Sequence, residues 1–198
     1  MMDARTATLE RETRETRIRV ELNIDGAGVF DIETGIPFMN HMLELFGRHS
    51  GLDLTLKATG DIEVDYHHEV EDIGLVLGEA LDKALGDRAG IRRYGDALLP
   101  MDDALSRVAV DLGGRPFLVY HMANRTKKIR DFNLCLIEEF FRAFTIQGRM
   151  NLHIEQLYGK EPHHAYESVF KGVARALRAA CEPDPRYGGE IPSSKGRI

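Results

Sequence analysis

Ile18, Val20, Leu22 and Ile24 alternate with charged or polar residues, the period of a strand that buries one face. Gly26 and Gly28 then supply turn residues before a second short stretch, Val29 to Ile32, and the two stretches read locally as a hairpin. Beyond Gly35, Pro37 can open a helix at its first position, with Phe38, Met42, Leu45 and Phe46 following at helical spacing. His41 is therefore expected on a short helix. Leu52, Leu54 and Leu56 return to the strand period. From Ile73, the set Val76, Leu77, Ala80, Leu81, Ala84 and Leu85 runs down one helical stripe until Gly86 ends it.

The same order then recurs. Val108, Val110 and Leu112 alternate, Arg115-Pro116 starts a strand through Met122, and Leu136 to Phe144 has helical spacing in Ile137, Phe140, Phe141 and Phe144. Met150, Leu152 and Ile154 form a strand face. A last long helix begins near His163, carries Val169, Val173, Ala176, Leu177 and Ala180, and stops at the proline-bearing segment CEPDPRYGG. A shift of about 96 positions lays HHEVED over HHAYES; one of about 98 lays Leu52 onto Met150 and Phe46 onto Phe144. The chain reads as an internal duplication of the α/β (α+β two-layer) class. Each half is expected to be a sheet of about four strands with two helices on one face. The halves are drawn at 1–98 and 99–198 and fused as one compact unit, with the charged start and the tail from Glu182 standing outside the repeat as candidates for ordering at a subunit contact or a ligand.

Composition narrows the function. With 43% hydrophobic and 29% charged residues in a chain of 198, a substantial core can be buried. A net charge of -6 disfavours a dedicated nucleic-acid binder. The charge-alternating start MMDARTATLERETRETR lacks the apolar core of a signal peptide, and no run approaches the roughly 18 apolar residues of a membrane span. A cytoplasmic location is expected, without a membrane partner. Cys135 and Cys181 form no Cys-x-x-Cys pair, so neither a disulfide framework nor a thiolate metal site is indicated.

The 8 histidines carry the chemistry, because four fall in two adjacent pairs. His67-His68-x-x-Glu71, followed by Asp72, and His163-His164-x-x-Glu167 each begin an amphipathic helix. Imidazole with carboxylate suits divalent first-row ions such as manganese, iron or zinc. Residues four apart on a helix lie roughly 40° from each other, so His67 with Glu71, and His163 with Glu167, can each chelate one ion. His68 and His164 point roughly 100° away, so each cluster is expected to touch two metals, with sites built between the halves or between subunits. A lone helical histidine is ordinarily a surface or satisfied core residue. Two copies of the pair at the repeat interval point instead to metal; His49, His121 and His153 get no ligand role.

Lys171 follows Glu167 by one helical turn. Arg92, Arg93, Arg115 and the tail Pro192-Ser193-Ser194-Lys195-Gly196 offer donors of the kinds that hold a phosphate monoester. The full glycine-rich Walker spacing is absent, which leaves a nucleotide triphosphatase unsupported.

These residues resemble the imidazoleglycerol-phosphate dehydratase family of histidine biosynthesis over nearly the whole chain. The resemblance rests on Arg14 with Glu15-Thr16, Gly35-Ile36-Pro37-Phe38 through His41-Met42-Leu43, both HHxxE strings, Arg115-Pro116, Phe170-Lys171, Ala174 to Leu177, Asp184-Pro185-Arg186 and Pro192 to Gly196. It implies a dinuclear manganese site, a duplicated two-layer half-unit, and a homo-oligomer of 24 subunits with sites formed between chains. By position it implies metal ligands at His41, His67, His68, Glu71, His163, His164 and Glu167. Phosphate or substrate contacts fall to Arg93, Arg115, Lys171, Ser193, Ser194 and Lys195, and Glu15 is implied to handle protons at the substrate. Two departures stand out: Asn40 replaces an aspartate common in the family, and Glu139 replaces a histidine ligand just before the Phe-Phe pair. A carboxylate can replace imidazole on manganese, so Glu139 joins the ligand set. The rival readings are a dinuclear metallohydrolase and a non-catalytic assembly protein whose ions only join subunits.

Overall fold

In the computed structural model, which describes residues 4–198, Leu9 pairs with Val20 across an antiparallel ladder of β1 (Thr6–Glu12) and β2 (Thr16–Asn23). The chain continues through β3 (Phe30–Glu33), α1 (Pro37–Ser50), β4 (Asp53–Gly60) and α2 (His67–Leu85). The second unit is β5 (Tyr94–Met101), β6 (Ala104–Asp111), β7 (Phe117–Met122), a small hairpin of β8 (Lys128–Ile129) and β9 (Phe132–Asn133), then α3 (Leu136–Gln147), β10 (Asn151–Tyr158) and α4 (Pro162–Cys181). The first three residues of the expected half 1–98 lie outside the described residues.

Two four-stranded sheets result, in the orders β1-β2-β4-β3 and β5-β6-β10-β7, each mixed in the same way: β4 is antiparallel to β2 and parallel to β3, as β10 is to β6 and β7. Each sheet has one buried face. In β2 the side chains of Ile18, Val20 and Leu22 are covered while Arg17, Arg19 and Glu21 are exposed, the alternation expected of a one-sided antiparallel strand.

Three readings of the sequence change. The stretches at Ile18–Ile24 and Val29–Ile32 do not form a hairpin, because β4 inserts between them and Ile32 pairs in parallel with Leu56. The turn is claimed by Asp53, whose Oδ1 accepts the N–H groups of Ala27 (2.8 Å) and Val29 (3.0 Å). Those two amides hold the Asp53 carboxyl below its ordinary pKa. The charged start is also not outside the repeat: β1 is the edge strand of the first sheet and matches β5, with Leu9–Val20 and Ala97–Val108 as corresponding pairs. Finally, β5 runs across position 98/99, so the link between the sheets is residues 86–93.

Helices pair across the halves, α2 along α3 and α1 along α4, and a single apolar core draws on both. Gly74 and Gly78 permit this approach. A Cβ on either would stand 2.5 Å from the carbonyl oxygen of Phe140 or Phe144, so the backbones of α2 and α3 touch. Phe46 and Phe144, counterparts in the repeat, meet edge to face with centroids 6.0 Å apart.

One buried cation ties the link to both units. Arg88, 2% exposed and at φ 62°, donates Nη1 to the carbonyls of Leu112 (2.8 Å) and Arg149 (2.9 Å), and Nη2 to Gly148 (3.0 Å) and the Asp82 carboxylate. Two of those carbonyls lie just past the end of α3, where a helix dipole favours positive charge. The tail rests on the same link: Gly90 N–H donates to Glu190 O (2.8 Å) and Arg93 Nη1 to Pro192 O (2.8 Å). Among the described residues no helix is long and apolar enough to cross a membrane.

Candidate metal centre

α4 is entered by a cap that fixes the second histidine pair. Pro162 occupies the first turn, and the Glu161 carboxylate accepts the His164 N–H at 2.8 Å. One turn further on, Glu167 Oε1 lies 3.0 Å from His163 Nε2. α1, packed along α4, brings His41 Nε2 to 3.2 Å from the same oxygen, with the two imidazole centroids 5.1 Å apart. One ligand atom from each of His41, His163 and Glu167 lies within 4.8 Å of the others. Two imidazoles and a carboxylate without thiolate suit a divalent first-row ion, so these donors fit such a metal.

Glu167 is the buried member, and Lys171 Nζ lies 2.5 Å from its other oxygen. Burial, the largest single influence, pushes the Glu167 pKa up; hydrogen bonds from Lys171 and His41 outweigh it, and the pKa falls below the usual carboxylate value. The group is thereby kept ionised, as a ligand must be. A depression of about 290 Å³ lined by Pro37, Phe38, His41, Tyr66, Phe132 and His163 opens beside the donors. A second depression, about 690 Å³, lies over the first sheet between Arg17, Lys57 and Gly60 and contains none of the three donors.

The first pair is arranged less tightly. Asp65 Oδ1 accepts the His67 N–H at 2.7 Å, and His67 Nε2 stands 3.7 Å from Glu71 Oε2. Between this pair and the second lie aromatic rings: Phe38 is 5.9 Å from His163 and 5.2 Å from Phe132, which stacks on Tyr66, the residue before His67. His68 and His164 turn aside, as the 100° step per residue dictates. His68 Nδ1 meets Asp61 at 3.1 Å, with Glu15 at 3.9 Å; His164 Nδ1 meets Asp103 at 2.9 Å, and its Nε2 is 3.4 Å from Asp102. The hydrogen bond to Asp61 raises the His68 pKa, and that to Asp103 raises the His164 pKa. His164, together with the N–H groups of Glu161 and Lys160, holds the Asp103 carboxyl at about 2.

Sequence reasoning missed Asp61, Asp102 and Asp103. The available signal was an acidic pair in the turn between two alternating stretches, and an aspartate seven residues before His68. Asn40 does not touch His41; its Oδ1 accepts from the Thr34 N–H (2.9 Å) and hydroxyl (2.7 Å), holding the loop before α1.

Glu139 is not among the three clustered donors, and its Oε2 lies 3.4 Å from Arg142. Yet the shift that lays Phe46 on Phe144 lays His41 on Glu139, and α3 lies along α2 as α1 lies along α4. By that shift Glu139 corresponds to His41 in sequence, as His67 and Glu71 correspond to His163 and Glu167 by the shift of 96.

The phosphate candidates divide. Lys171 is at the three donors. Arg93 is at the far end of α4, where its N–H donates to Ala180 O at 3.0 Å; at 1.5 Å per residue that is roughly 20 Å from Glu167. There its guanidinium pairs with Asp111 (2.7 Å) and holds the tail through Pro192. A Cβ on Gly114, beside Arg115, would meet Ile198, so Arg115 adjoins the tail end too. Within the tail, the Lys195 N–H donates to Ser193 Oγ at 3.2 Å and the Gly196 N–H to Ser193 O at 3.0 Å, while Ser194 makes no side-chain hydrogen bond among the described residues.

Neither thiol belongs to the site. Cys135 is exposed; Cys181 is buried, and burial pushes its thiol up to about 12. A thiol reagent should leave Cys181 unmodified in the native protein and gain one reactive group per chain on denaturation. Reaction of Cys181 at the native rate of an open thiol would contradict this placement.

The profile of a family described as imidazoleglycerol-phosphate dehydratase matches residues 34–177. Imidazoleglycerol-phosphate dehydratase of Rhodopseudomonas palustris (strain BisB5) is 52% identical over 194 residues, covering 98% of both chains. That of Ruegeria pomeroyi is 53% identical over 194 residues, covering 98% of this chain and all of its own length. Among solved structures, imidazoleglycerol-phosphate dehydratase of Staphylococcus aureus superposes with a TM-score of 0.82 at 38% identity, covering 90% of this chain and 99% of its own. The Pyrococcus furiosus enzyme, solved with (S)-C348, gives 0.82 at 36% identity, covering 96% and 100%. By sequence over almost its full length and by fold, the chain belongs to the imidazoleglycerol-phosphate dehydratase family.

Proposed function

We propose that this hydro-lyase of histidine biosynthesis converts imidazoleglycerol phosphate to imidazoleacetol phosphate and water with two divalent metals, manganese in this reading, held by the two HHxxE clusters. The observation that carries the reading is the convergence of His41, His163 and Glu167, with Lys171 one turn away. In this reading His41, His163 and Glu167 hold one ion, His67, Glu71 and Glu139 hold the other, and His68 and His164 complete the sites of neighbouring chains.

The substrate's difficulty is a carbon-bound hydrogen that is scarcely acidic. Bound at these donors, a divalent ion supplies Lewis acidity toward the azole ring. The C–O bond at the carbon attached to the ring breaks, its hydroxyl takes up the proton lost by the azole N–H and leaves as water, and the neighbouring carbon then gives up its proton. In this reading Glu15, on the β1–β2 turn and 3.9 Å from His68, takes that proton and returns it to the product as the enol relaxes to the ketone. Arg93, Arg115, Lys171, Ser193, Ser194 and Lys195 anchor the phosphate and fix the chain between its two ends. Lys171 and the Ala180 carbonyl that holds Arg93 are nine helical residues apart, roughly 14 Å, too far for one phosphate to reach both side chains of a single chain. The sites in this reading are therefore shared between chains, in a cytoplasmic homo-oligomer of 24 subunits.

The test is the reaction with imidazoleglycerol phosphate, followed by the alkaline enol absorbance of the product. Lys171→Ala is expected chiefly to raise KM and His67→Ala to abolish turnover. Equal, small effects from both would remove the assigned division of labour.

A further inference from the structure

The two second histidines share a contact that the repeat does not explain. His68 Nδ1 lies 3.1 and 3.2 Å from the two oxygens of Asp61, and His164 Nδ1 lies 2.9 Å from Asp103. Asp61 follows β4, whereas Asp103 sits in the β5–β6 turn. The shift that aligns β4 with β10 puts Gly159 opposite Asp61, and the one that aligns β2 with β6 puts Glu15 opposite Asp103. The halves thus reach the same imidazole nitrogen with carboxylates from different elements. A contact merely inherited from the duplication would have come from the same one.

We infer that Asp61 and Asp103 are positioning residues that accept the Nδ1–H of His68 and His164, fix that tautomer, and leave each Nε2 bare as a donor to a divalent cation. The inference rests on the metal-dependent reading above. An imidazole has one proton to place when neutral, so the nitrogen at hydrogen-bond distance from a carboxylate keeps it and the other presents its lone pair; at His164 that nitrogen is Nδ1, 2.9 Å from Asp103, while Nε2 stands 3.4 Å from Asp102. The arrangement also accounts for the position of Glu15. In the second half the turn carboxylate clamps the histidine; in the first half Asp61 takes that duty, and Glu15 stands off at 3.9 Å, free to move a proton.

Asp61 is the cleaner test, because among the described residues its side chain hydrogen-bonds to His68 alone, whereas Asp103 also accepts the N–H groups of Lys160 (2.7 Å) and Glu161 (3.1 Å). The experiment strips the full-length protein of metal, titrates it with manganese(II) against a competing chelator, and follows assembly and thermal unfolding in parallel. Asp61→Ala is expected to weaken manganese binding about 10- to 100-fold with assembly intact. Asp61→Asn and Asp103→Asn, which keep an acceptor oxygen, should stay within a few-fold of the parent. Nitrogen-15 spectra of the imidazoles in the metal-free protein, at mildly alkaline pH, should place the His68 proton on Nδ1 in the parent and on Nε2 in Asp61→Ala. An Asp61→Ala protein that binds manganese as tightly as the parent, or a parent whose His68 proton sits on Nε2, overturns the inference and leaves the metal reading standing. A parent that takes up no manganese overturns both.

Discussion

Glu167→Gln is expected to lose the metal held with His41 and His163 and to lower kcat/KM on the order of 10³-fold. Its Oε1 is the atom on which both imidazoles converge, at 3.0 and 3.2 Å, while Oε2 neutralises Lys171. The amide keeps the volume, so the fold should survive. It removes the negative charge that binds a cation, and it leaves the Lys171 ammonium without its partner at 15% exposure. A bound metal contributes several kcal/mol to such a reaction, and each 1.36 kcal/mol is a factor of ten. Metal content of the purified variant separates the two effects. A Glu167→Gln protein that keeps its full complement of metal and more than a tenth of the activity would show that Glu167 is not a ligand.

Arg88→Met is expected to destabilise the chain by about 3–5 kcal/mol, the range for breaking a buried charge pair. For a chain of this size that corresponds to roughly 6–20 °C in Tm. The substitution leaves Asp82 with the longer contact to Arg149 Nη1, 3.7 Å away, and leaves the carbonyls of Leu112, Gly148 and Arg149 without their donor. It also puts an ordinary side chain at φ 62° with nothing polar to hold it there. Because the residue lies at the end of α4 away from the three donors' end, metal affinity should be preserved below the melting point. A Tm within 2 °C of the parent, at equal protein concentration, would contradict the role of Arg88 as the tie between the halves.

Much of this architecture is legible in the sequence because it rests on local periods. The stripe from Ile73 to Leu85 and the spacing His163 to Glu167 need only the helical repeat, and both are found as expected. Pairing is not local. The alternation at Val29–Ile32 announces a strand without naming its neighbour, and β4, twenty residues on, takes the place that a hairpin would have filled. The edge strand β1 offers only Ala7 and Leu9 to the core, too little apolar signal among its charges to be seen. Asp61 and Asp103 were hidden for a related reason: a turn and a helix end meet only after the sheet has formed. Glu139, named through resemblance, is the residue that the 98-residue shift lays on His41, and it lies outside the cluster of three donors.

The central claim is that paired imidazoles on α2 and α4 hold the ions on which dehydration depends. It is tested most directly by adding manganese(II) in known amounts to metal-stripped protein and measuring ketone formed from imidazoleglycerol phosphate at each addition. The account predicts no product from the stripped protein and activity that rises to a plateau at two ions per chain. Full activity without metal, or uptake of manganese with no return of activity, would contradict it.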